Sequence, residues 1–419
     1  MAEWANIRLV ENVDTNAQQV QLKILGDEQR VIWDTFIATA PHGHLLQSWN
    51  WGELKASFGW RPLRVGLLDV DQQRLLAGAQ ILCRSIPFTP LSIAYVPKGP
   101  VIDWSDPVLC QRFLQALHPL LRARHVALLR VDPDLPESIA LPAAESSEDV
   151  DTVSPGIGDA DDSDVHFGAL YSIIEGSRVV QQLSTLGFRT AEDSIQPRRT
   201  IAVDLTPDEH TIALRQRPKW RYNAGLAARK GVTVRTATNL KDLQRWYELM
   251  QITSQRDRFA IHTFAYYQRA WELFGGANQA QLLLAEYEGN LLAGIFVTLI
   301  GREGIYLYGA SGNEGRNLMP NHLLQWEAMR WAKAHGATLY DLWGIADSED
   351  PSDPMAGVYR FKRGWGGKMI RYIGSFDYVY APITYRTMAL GRNLQKRLAA
   401  ARVHRRTGVT KPEHVSKGR

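Results

Sequence analysis

The four residues Leu75-Leu76-Ala77-Gly78 recur later in the chain as Leu291-Leu292-Ala293-Gly294. Each copy opens the second strand of a predicted hairpin, because apolar residues alternate or run together on both sides of a short polar turn. The predicted strand pairs cover residues 64–69 with 75–84, and residues 282–287 with 291–299. Four shared letters are weak evidence alone, so the surrounding elements decide the fold.

The predicted elements around the two copies follow one order: two helices, the hairpin, a strand, a helix and a further strand. The first set comprises helices at 28–40, 47–59 and 106–123 with strands at 93–96 and 126–131; the second comprises helices at 240–252, 263–274 and 320–335 with strands at 304–308 and 338–342. In helix 28–40 we expect an inner face of Val31, Ile32, Phe36 and Ile37. The order predicts an internal duplication: two α/β (α+β) domains of one fold, each a mixed sheet flanked by helices, with a cleft at the sheet ends or between the domains.

We predict a first domain over residues 1–199, a second over 200–373, a return to the first over 374–390, and a basic tail over 391–419. The segment at about 141–166 is acidic and rich in Ser, Asp and Gly, which is typical of a disordered surface insertion.

The composition of the 419 residues, 45% hydrophobic and 22% charged, is that of an ordinary globular protein. With two cysteines and no metal-ligand spacing, neither a disulfide framework nor a metal site is expected, and the cytoplasm is the natural compartment. The N-terminus lacks a signal pattern, and no run of about 18 apolar residues occurs, so we expect neither export nor a membrane span.

The net charge of +4 understates the basic surface, because residues 145–164 hold eight acids and no Lys or Arg, which leaves +12 on the rest. The tail is also basic. A polyanionic partner is therefore expected: nucleic acid, anionic lipid or a charged substrate, unless the tail only confers solubility. A predicted helix over 219–230 interleaves basic residues with Trp220 and Tyr222, which suits phosphate contact with stacking or a solvated face. Its basic residues are Lys219, Arg221, Arg229 and Lys230.

The stretch Asp341-Leu342-Trp343-Gly344-Ile345 to Gly357-Val358-Tyr359-Arg360-Phe361-Lys362-Arg363-Gly364-Trp365-Gly366-Gly367 sets one lysine between aromatic rings and glycines. We expect Lys362 on a short turn, where an ammonium and backbone amides would suit an anion, or else the stretch is a glycine-rich hairpin with one exposed lysine. Asp341 is the carboxylate best placed to contact an amine, or else it caps the strand end.

Several mechanisms are excluded, because the chain has no Gly-x4-Gly-Lys-Ser/Thr loop, no Gly-x-Ser-x-Gly elbow and no clean pyrophosphate loop for coenzyme A. What remains are anion holders in Gly- or Pro-flanked turns, aromatic rings and a few carboxylates. The anion holders are Lys55, Lys98, Arg198 and Lys362. This set fits acyl transfer from an activated donor, which needs orientation, oxyanion stabilisation and proton management.

A series of ordered motifs resembles the Fem-type (FemABX) peptidoglycan-bridge aminoacyltransferases. The motifs are Gln47-Ser48-Trp49 to Lys55, Tyr95-Val96-Pro97-Lys98-Gly99-Pro100, Gln196-Pro197-Arg198, Trp220 to Val232, Tyr308-Gly309-Ala310-Ser311, Asn317 to Ala328, Asp341 to Ile345, Tyr359 to Gly367 and Gly374-Ser375-Phe376-Asp377. Together they span residues 45–385. The resemblance implies two tandem acetyltransferase-like (GNAT-like) domains.

The resemblance also implies transfer of an amino acid from aminoacyl-tRNA to the stem-peptide amine of a peptidoglycan precursor, either lipid II or UDP-MurNAc-pentapeptide, with no cofactor beyond the tRNA co-substrate. It places Lys362 at the reacting centre, Lys55 on the precursor's diphosphate, and both lysines on one interdomain cleft. The catalytic set is then Lys362 and Asp341, and the substrate-binding set is Lys55, Trp51, Tyr95, Lys98, Arg198, His262, Tyr266, Tyr308, Asn321, Trp343, Tyr359, Phe361 and Gly364. Because no coiled-coil arm is present, the tRNA contacts are expected on the 219–230 helix or on the tail. The expected location is the cytoplasm, and peripheral contact with the inner face of the membrane is left open.

One departure from the family concerns His262, which stands four residues before Tyr266 where many members have Arg. A histidine carries only a partial charge near neutral pH, so phosphate binding there is weaker or the acceptor differs. Two further classes stay open: an N-acyltransferase with another acyl donor acting on a cell-envelope polymer or conjugate, and a non-catalytic nucleic-acid- or lipid-binding protein. The transferred amino acid and the oligomeric state are not determined by the sequence.

Overall fold

The computed structural model describes residues 12–15, 18–72, 74–140, 173–350 and 352–391. The predicted acidic insertion at 141–166 and, except for residue 391, the predicted basic tail at 391–419 lie outside these residues. The described chain forms two mixed sheets, each covered by helices.

The first sheet has nine strands in the order β1-β2-β3-β4-β5-β7-β17-β9, with β6 paired to β4. Only β5 and β7 run parallel. The strands are β1 Asn12–Thr15, β2 Gln18–Ile24, β3 Arg61–Asp69, β4 Arg74–Ser85, β5 Ser92–Val96, β6 Val101–Ile102, β7 Val126–Val131, β9 Arg189–Thr190 and β17 Phe376–Val379. The helices of this half are α1 Arg30–Thr39, α2 Trp49–Ala56, α3 Pro107–Ala123 and α4 Ile173–Thr185.

The second sheet has eight strands in the order β11-β12-β13-β14-β15-β10-β16-β8, and its one parallel pair is β14 with β15. The strands are β8 Pro136–Ala140, β10 Arg199–Asp204, β11 Thr233–Thr236, β12 Ala280–Tyr287, β13 Asn290–Ile300, β14 Glu303–Ser311, β15 Leu339–Asp341 and β16 Lys368–Tyr372. The helices are α5 Glu209–Arg215, α6 Pro218–Arg229, α7 Leu240–Asp257, α8 Phe264–Gly275, α9 Pro320–Ala334 and α10 Ala356–Arg363. A further helix, α11, covers residues 382–391.

The repeated tetrapeptide marks the same β-bulge in both sheets. Between β3 and β4, Leu67 faces Ala77 and Leu68 faces Leu75, so Leu76 is left without a partner. Between β12 and β13 the pairing skips Leu292 in the same way. A bulge bends its strand and increases the local twist, so each sheet curves at the same point. The predicted duplication and the mixed α/β fold class are confirmed.

The glycine that closes each tetrapeptide lets a buried tryptophan pack against the hairpin. A Cβ atom on Gly78 would lie 2.9 Å from the Trp33 ring of α1, and one on Gly294 would lie 2.6 Å from the Trp246 ring of α7. Both tryptophans are fully buried. The shared glycine is therefore required by a helix-to-sheet contact that exists once in each half.

The two halves share one hydrophobic core as well as having cores of their own. The shared cluster contains Trp33, Trp49 and Trp51 from the first half and Trp246 and Phe274 from the second. Polar contacts add to it, because the amide of Asn50 on α2 donates to the carbonyl oxygen of Leu273 at 3.0 Å and to Oε1 of Gln279 at 2.9 Å.

Strands also cross between the halves. β8 lies within residues 1–199 but pairs with β16 of the second sheet, and β17 lies within residues 374–390 and pairs with β7 of the first sheet. No helix among the described residues combines the length and the apolarity needed to cross a bilayer.

The predicted inner face of the first helix is wrong at two positions. Val31 and Ile32 are 76% and 48% exposed, whereas Trp33 and Ile37 are buried. Residues four apart share one side of a helix, and the large Trp33 ring directs that side inward. Val31 precedes Trp33 by two residues, which is a rotation of about 200° around the helix axis, so Val31 faces solvent.

Candidate active site

A cleft of about 840 Å³ opens at the carboxyl ends of β14 and β15, the parallel pair of the second sheet. In open α/β sheets, ligands bind outside the carboxyl ends of the strands. Aromatic side chains form much of its wall: Phe259, Tyr267, Tyr306, Tyr308, Trp343 and Phe361. Cationic side chains also line it: Arg256, Arg258, Arg316 and Lys362.

Lys362 lies in the last turn of α10, so the prediction that it sits on a short turn is wrong. Its side chain is buried, and Nζ donates to the carbonyl oxygens of Gly344 at 2.8 Å and Trp343 at 3.2 Å. Burial lowers the pKa of Lys362 from 10.5 to about 8, and the nearby Asp341 carboxylate partly opposes this shift. An ammonium has three N–H donors, so two are used by carbonyls and one can serve a ligand in the cleft.

The position of α10 depends on Gly364 and Trp220. A Cβ atom on Gly364 would lie 2.2 Å from the Trp220 ring, and the indole of Trp220 donates to the carbonyl oxygen of Phe361 at 2.9 Å. Trp220 thus holds the end of the helix that carries Lys362. Gly364 therefore acts on the cleft through packing.

Asp341 is buried at the end of β15 and does not line the cleft. Its Oδ1 accepts a hydrogen bond from the backbone N–H of Trp343 at 2.6 Å and a short one from the hydroxyl of Thr200. The backbone of Trp343 is left-handed, with φ of 60°. Asp341 therefore caps the tight turn that directs Trp343 and the carbonyls beneath Lys362, and burial raises the pKa of Asp341.

Lys55 approaches the cleft from the first half. Its Nζ donates to the hydroxyl of Tyr266 at 2.8 Å and lies 4.5 Å from the centre of the Trp51 ring. The hydroxyl of Tyr308, a cleft residue, donates in turn to that of Tyr266 at 3.5 Å. Lys55 itself is not among the residues that line the cleft. Burial lowers the pKa of Lys55 to about 8.

His262 lines the cleft and stacks on Tyr266, with 3.8 Å between ring centres and 18° between ring planes. Burial, and secondarily the charge of Lys55, lower the pKa of His262 below 6.5. The imidazole is therefore mostly neutral at pH 7, and the stacked ring pair is an apolar wall beside the Lys55 ammonium.

Four predicted binding residues lie away from the cleft. Tyr95 donates to Asp132 Oδ2 at 3.1 Å. Lys98 pairs with Asp134 at 2.8 Å and lies 3.1 Å from the centre of the Tyr372 ring. Arg198 donates to the carbonyl oxygen of Tyr372 and to Glu137, both at 3.0 Å. Tyr359 is buried in the core of the second half.

The cleft does bring together part of the predicted set. The predicted residues that line it are His262, Tyr308, Asn321, Trp343, Phe361 and Lys362.

The predicted basic helix is α6, and its cations differ in accessibility. Arg221 donates to the carbonyl oxygens of Ala213, Leu214 and Gln216 at the end of α5, which fixes its side chain within the protein. The remaining cations are exposed: Lys219, Arg229 and Lys230.

Sequence reasoning missed the arginines of the cleft and one aromatic residue beside Lys362, Tyr306. Tyr306 lies on β14, and its ring centre is 5.4 Å from Lys362 Nζ. A bulge leaves Leu307 without a partner, so Tyr308 faces Phe296 and Tyr306 faces Val297 on opposite faces of the sheet, and regular strand alternation gave no signal for Tyr306. Arg256 and Arg258 lie two residues apart at the C-terminal end of α7. Nothing in the sequence places that end of the helix beside β14.

Two mixed sheets related by duplication give the protein a tandem GNAT-like fold. A model of the FemAB family matches residues 29–290 and 277–392, so the chain belongs to the FemAB family, and it is an aminoacyltransferase.

Relatives in sequence support the family assignment, and a solved structure supports the fold. A lipid II:glycine glycyltransferase of Staphylococcus saprophyticus is 26% identical over 88% of this chain and 95% of its own. The protein of the same name from Staphylococcus aureus strain COL is 25% identical over the same shares. The crystal structure of FemX superposes with a TM-score of 0.73 at 23% identity, covering 85% of this chain and 98% of FemX.

Proposed function

We propose that the protein transfers an amino acid from aminoacyl-tRNA to the stem-peptide amine of a peptidoglycan precursor and so builds an interpeptide bridge. The observation that carries the proposal is the Lys362 ammonium, which is buried at the cleft with one N–H beyond its two backbone contacts. The two relatives, whose names give lipid II and glycine as their substrates, support the acceptor class.

The reaction is an acyl transfer from an ester to an amine. The amine attacks the ester carbonyl carbon, the carbonyl oxygen becomes an oxyanion, and the ribose oxygen leaves with the proton that the amine gives up. Lys362 stabilises the oxyanion by a charge-assisted hydrogen bond in a site shielded from water. With a pKa of about 8, the lysine is mostly protonated at pH 7.

The cleft suits the end of a charged tRNA as donor. Bases stack on aromatic side chains, and Arg256, Arg258 and Arg316 offer cations to the phosphates. Arg256 is held toward the end of β14, because its guanidinium donates to the carbonyl oxygen of Ser311 at 3.0 Å.

The acceptor enters from the side of Lys55. The Lys55 ammonium, backed by Trp51 and Tyr266, suits the diphosphate that both precursor forms carry. Tyr308 then separates the diphosphate site from Lys362 and would lie along the stem peptide. A lipid-linked acceptor requires the enzyme to work at the inner face of the membrane.

The test is a transfer assay with purified protein, tRNA charged with Gly, Ala or Ser, and either precursor form, with the mass of the stem peptide as the readout. We expect a gain of one amino acid, and a loss of about 10²-fold or more in rate for Lys362→Met. Lys333→Met is the matched control, because Lys333 also donates to a backbone carbonyl, that of Leu205, but lies away from the cleft.

No mass gain with any of the three amino acids would refute the proposal. Acylation from an acyl-coenzyme A in place of charged tRNA would refute the donor. A Lys362→Met variant as active as Lys333→Met would remove the assigned role of Lys362.

A further inference from the structure

We propose that one end of the first sheet is a surface that docks on an anionic lipid bilayer. The sheet-end surface is formed by Trp60, Arg61, Arg84, Phe88, Arg122 and Ile383. The inference deepens the proposed function, because a bilayer at this surface makes the lipid-linked precursor the natural acceptor.

Sheet topology brings these residues to one edge. β3, β5 and β7 begin there, and β4 and β17 end there: Arg61 faces Cys83, Ser85 faces Ser92, Ser92 faces Val126, and Val379 faces Leu128. The β4–β5 turn is closed by a hydrogen bond from the N–H of Ile86 to the carbonyl oxygen of Leu91 at 2.9 Å, and Phe88 lies at its tip. α11 starts at the same edge, because the N–H of Ala381 donates to the carbonyl oxygen of Ala127.

The apolar side chains on this surface are presented outward. Phe88 is 107% exposed, on a backbone held in the left-handed region with φ of 62°, and Ile383 is 80% exposed. Pro87 and Pro90 flank Phe88 and restrict the turn. A rigid turn that presents an aromatic ring away from the protein suits insertion among lipid headgroups.

The charges on the surface are of one sign. The segments that meet at this edge are 55–62, 84–92, 119–128 and 378–391. They contain no Asp or Glu, and their exposed cations are Arg61, Arg84, Arg122 and Arg386. Two of the arginines lie beside aromatic rings, Arg84 at 5.5 Å from the centre of Trp60 and Arg122 at 5.6 Å from that of Tyr380. Arginines and amphipathic rings around an exposed apolar tip complement an anionic interface.

The sheet-end surface adjoins the acceptor side of the candidate active site. Five residues separate Lys55 from Arg61, and within them Phe58 packs against Tyr266 with 5.0 Å between ring centres. A lipid-linked diphosphate at Lys55 would therefore have its lipid chain near Trp60 and Phe88. The same cations could serve a nucleic acid, but the bare Phe88 tip and Ile383 favour lipid.

The test is co-sedimentation of the full chain with vesicles of phosphatidylcholine alone or mixed equally with phosphatidylglycerol. We expect binding to the mixed vesicles, lowered roughly tenfold by Phe88→Ser and by Arg84→Glu. Leu214→Ser and Lys241→Glu are the matched controls, because both side chains are exposed on the second half, and they should bind within about twofold of the wild type.

The proposal would be overturned if the wild-type protein does not co-sediment with the anionic vesicles. It would also be overturned if the variants and the controls bind the vesicles equally. If Phe88→Ser weakens binding to tRNA but leaves vesicle binding intact, the surface belongs to nucleic acid and the proposal is also overturned.

A second readout separates this inference from the proposed function. Phe88→Ser should transfer at the wild-type rate to the nucleotide-linked precursor in solution, but more slowly to the lipid-linked precursor in vesicles. A Phe88→Ser variant that matches the wild-type rate on both acceptors would overturn the proposed lipid-docking surface. Wild-type protein that binds the vesicles but transfers to neither precursor would overturn the proposed function and leave the surface standing.

Discussion

At the scale of the residue, the chemical role proposed for Lys362 comes with a cost in stability. Burial lowers its pKa from 10.5 to about 8, which corresponds to about 3 kcal/mol against the charged form. The lysine appears in the sequence as a charge among glycines. Its burial, and its two carbonyl partners, come from the packing of α10 against the turn after β15.

Lys362→Met should change the pH dependence of stability. Because the pKa of the folded state lies below that of the unfolded state, the folded protein binds fewer protons between pH 8 and 10.5, and wild-type stability rises with pH in this window. Denaturant unfolding at pH 7 and pH 10 should show the wild type gaining roughly 1–3 kcal/mol relative to the variant. A constant difference between the two proteins would contradict the lowered pKa.

His262 should limit acceptor binding at neutral pH. Its lowered pKa leaves the ring mostly neutral at pH 7, so protonation in more acidic buffer adds a positive charge beside Lys55. His262→Arg supplies that charge at all pH values, and we expect a roughly tenfold lower KM for the diphosphate acceptor at pH 7.5. The wild type should bind the acceptor more tightly at pH 5.5 than at 7.5, and His262→Gln should lack this gain; an identical pH profile in His262→Gln would exclude the histidine.

At the scale of the element, the hairpins and helices were largely predictable. The apolar spacing places β7 at its observed bounds and α3 one residue from its predicted start, because local hydrophobic period, Asp106 as cap and Pro107 as first helical residue all agree. The wrong prediction of a turn at Lys362 also comes from a local pattern, because glycines lie on both sides of this short helix. Tertiary contact with Trp220 stabilises a helix that local propensity does not favour.

Gly294→Ala should destabilise the second half. The added methyl group would lie 2.6 Å from Trp246 and 3.1 Å from the carbonyl oxygen of Leu283, and Trp246 is itself anchored through its N–H to the Gly294 carbonyl oxygen. We expect a loss of about 1–3 kcal/mol in the free energy of unfolding, measured with denaturant.

Gly357→Ala is the control for this prediction. Gly357 lies in α10 with nothing within 4 Å of an added Cβ atom, so alanine should stabilise the protein by about 0.5–1 kcal/mol. If both variants change stability alike, the contact between Trp246 and the hairpin is not what requires glycine at residue 294.

At the scale of the whole molecule, the two halves should unfold together. They share an apolar cluster, Asn50 bridges them, and β8 of the first half pairs with β16 of the second. Calorimetry should therefore show a single transition, and residues 1–199 and 200–373 expressed separately should not fold. Two separate transitions, or two folded fragments, would contradict a shared core.

The amino-acid sequence by itself determined the duplication, the mixed α/β class and the family resemblance, and it marked Lys362 as a candidate, because these rest on local periodicity and on motifs that are read in order. Only the tertiary structure decided which residues meet. Lys98 and Arg198 share the basic, turn-flanked character of Lys362, yet they pair with Asp134 and Glu137 and lie away from the cleft, while Tyr306 and Arg256 line it. The physical reason is that a cleft is formed by strands and helices that are distant in the chain. The chemistry of each side chain depends on its burial and on its bonding partners, and no local sequence pattern specifies either.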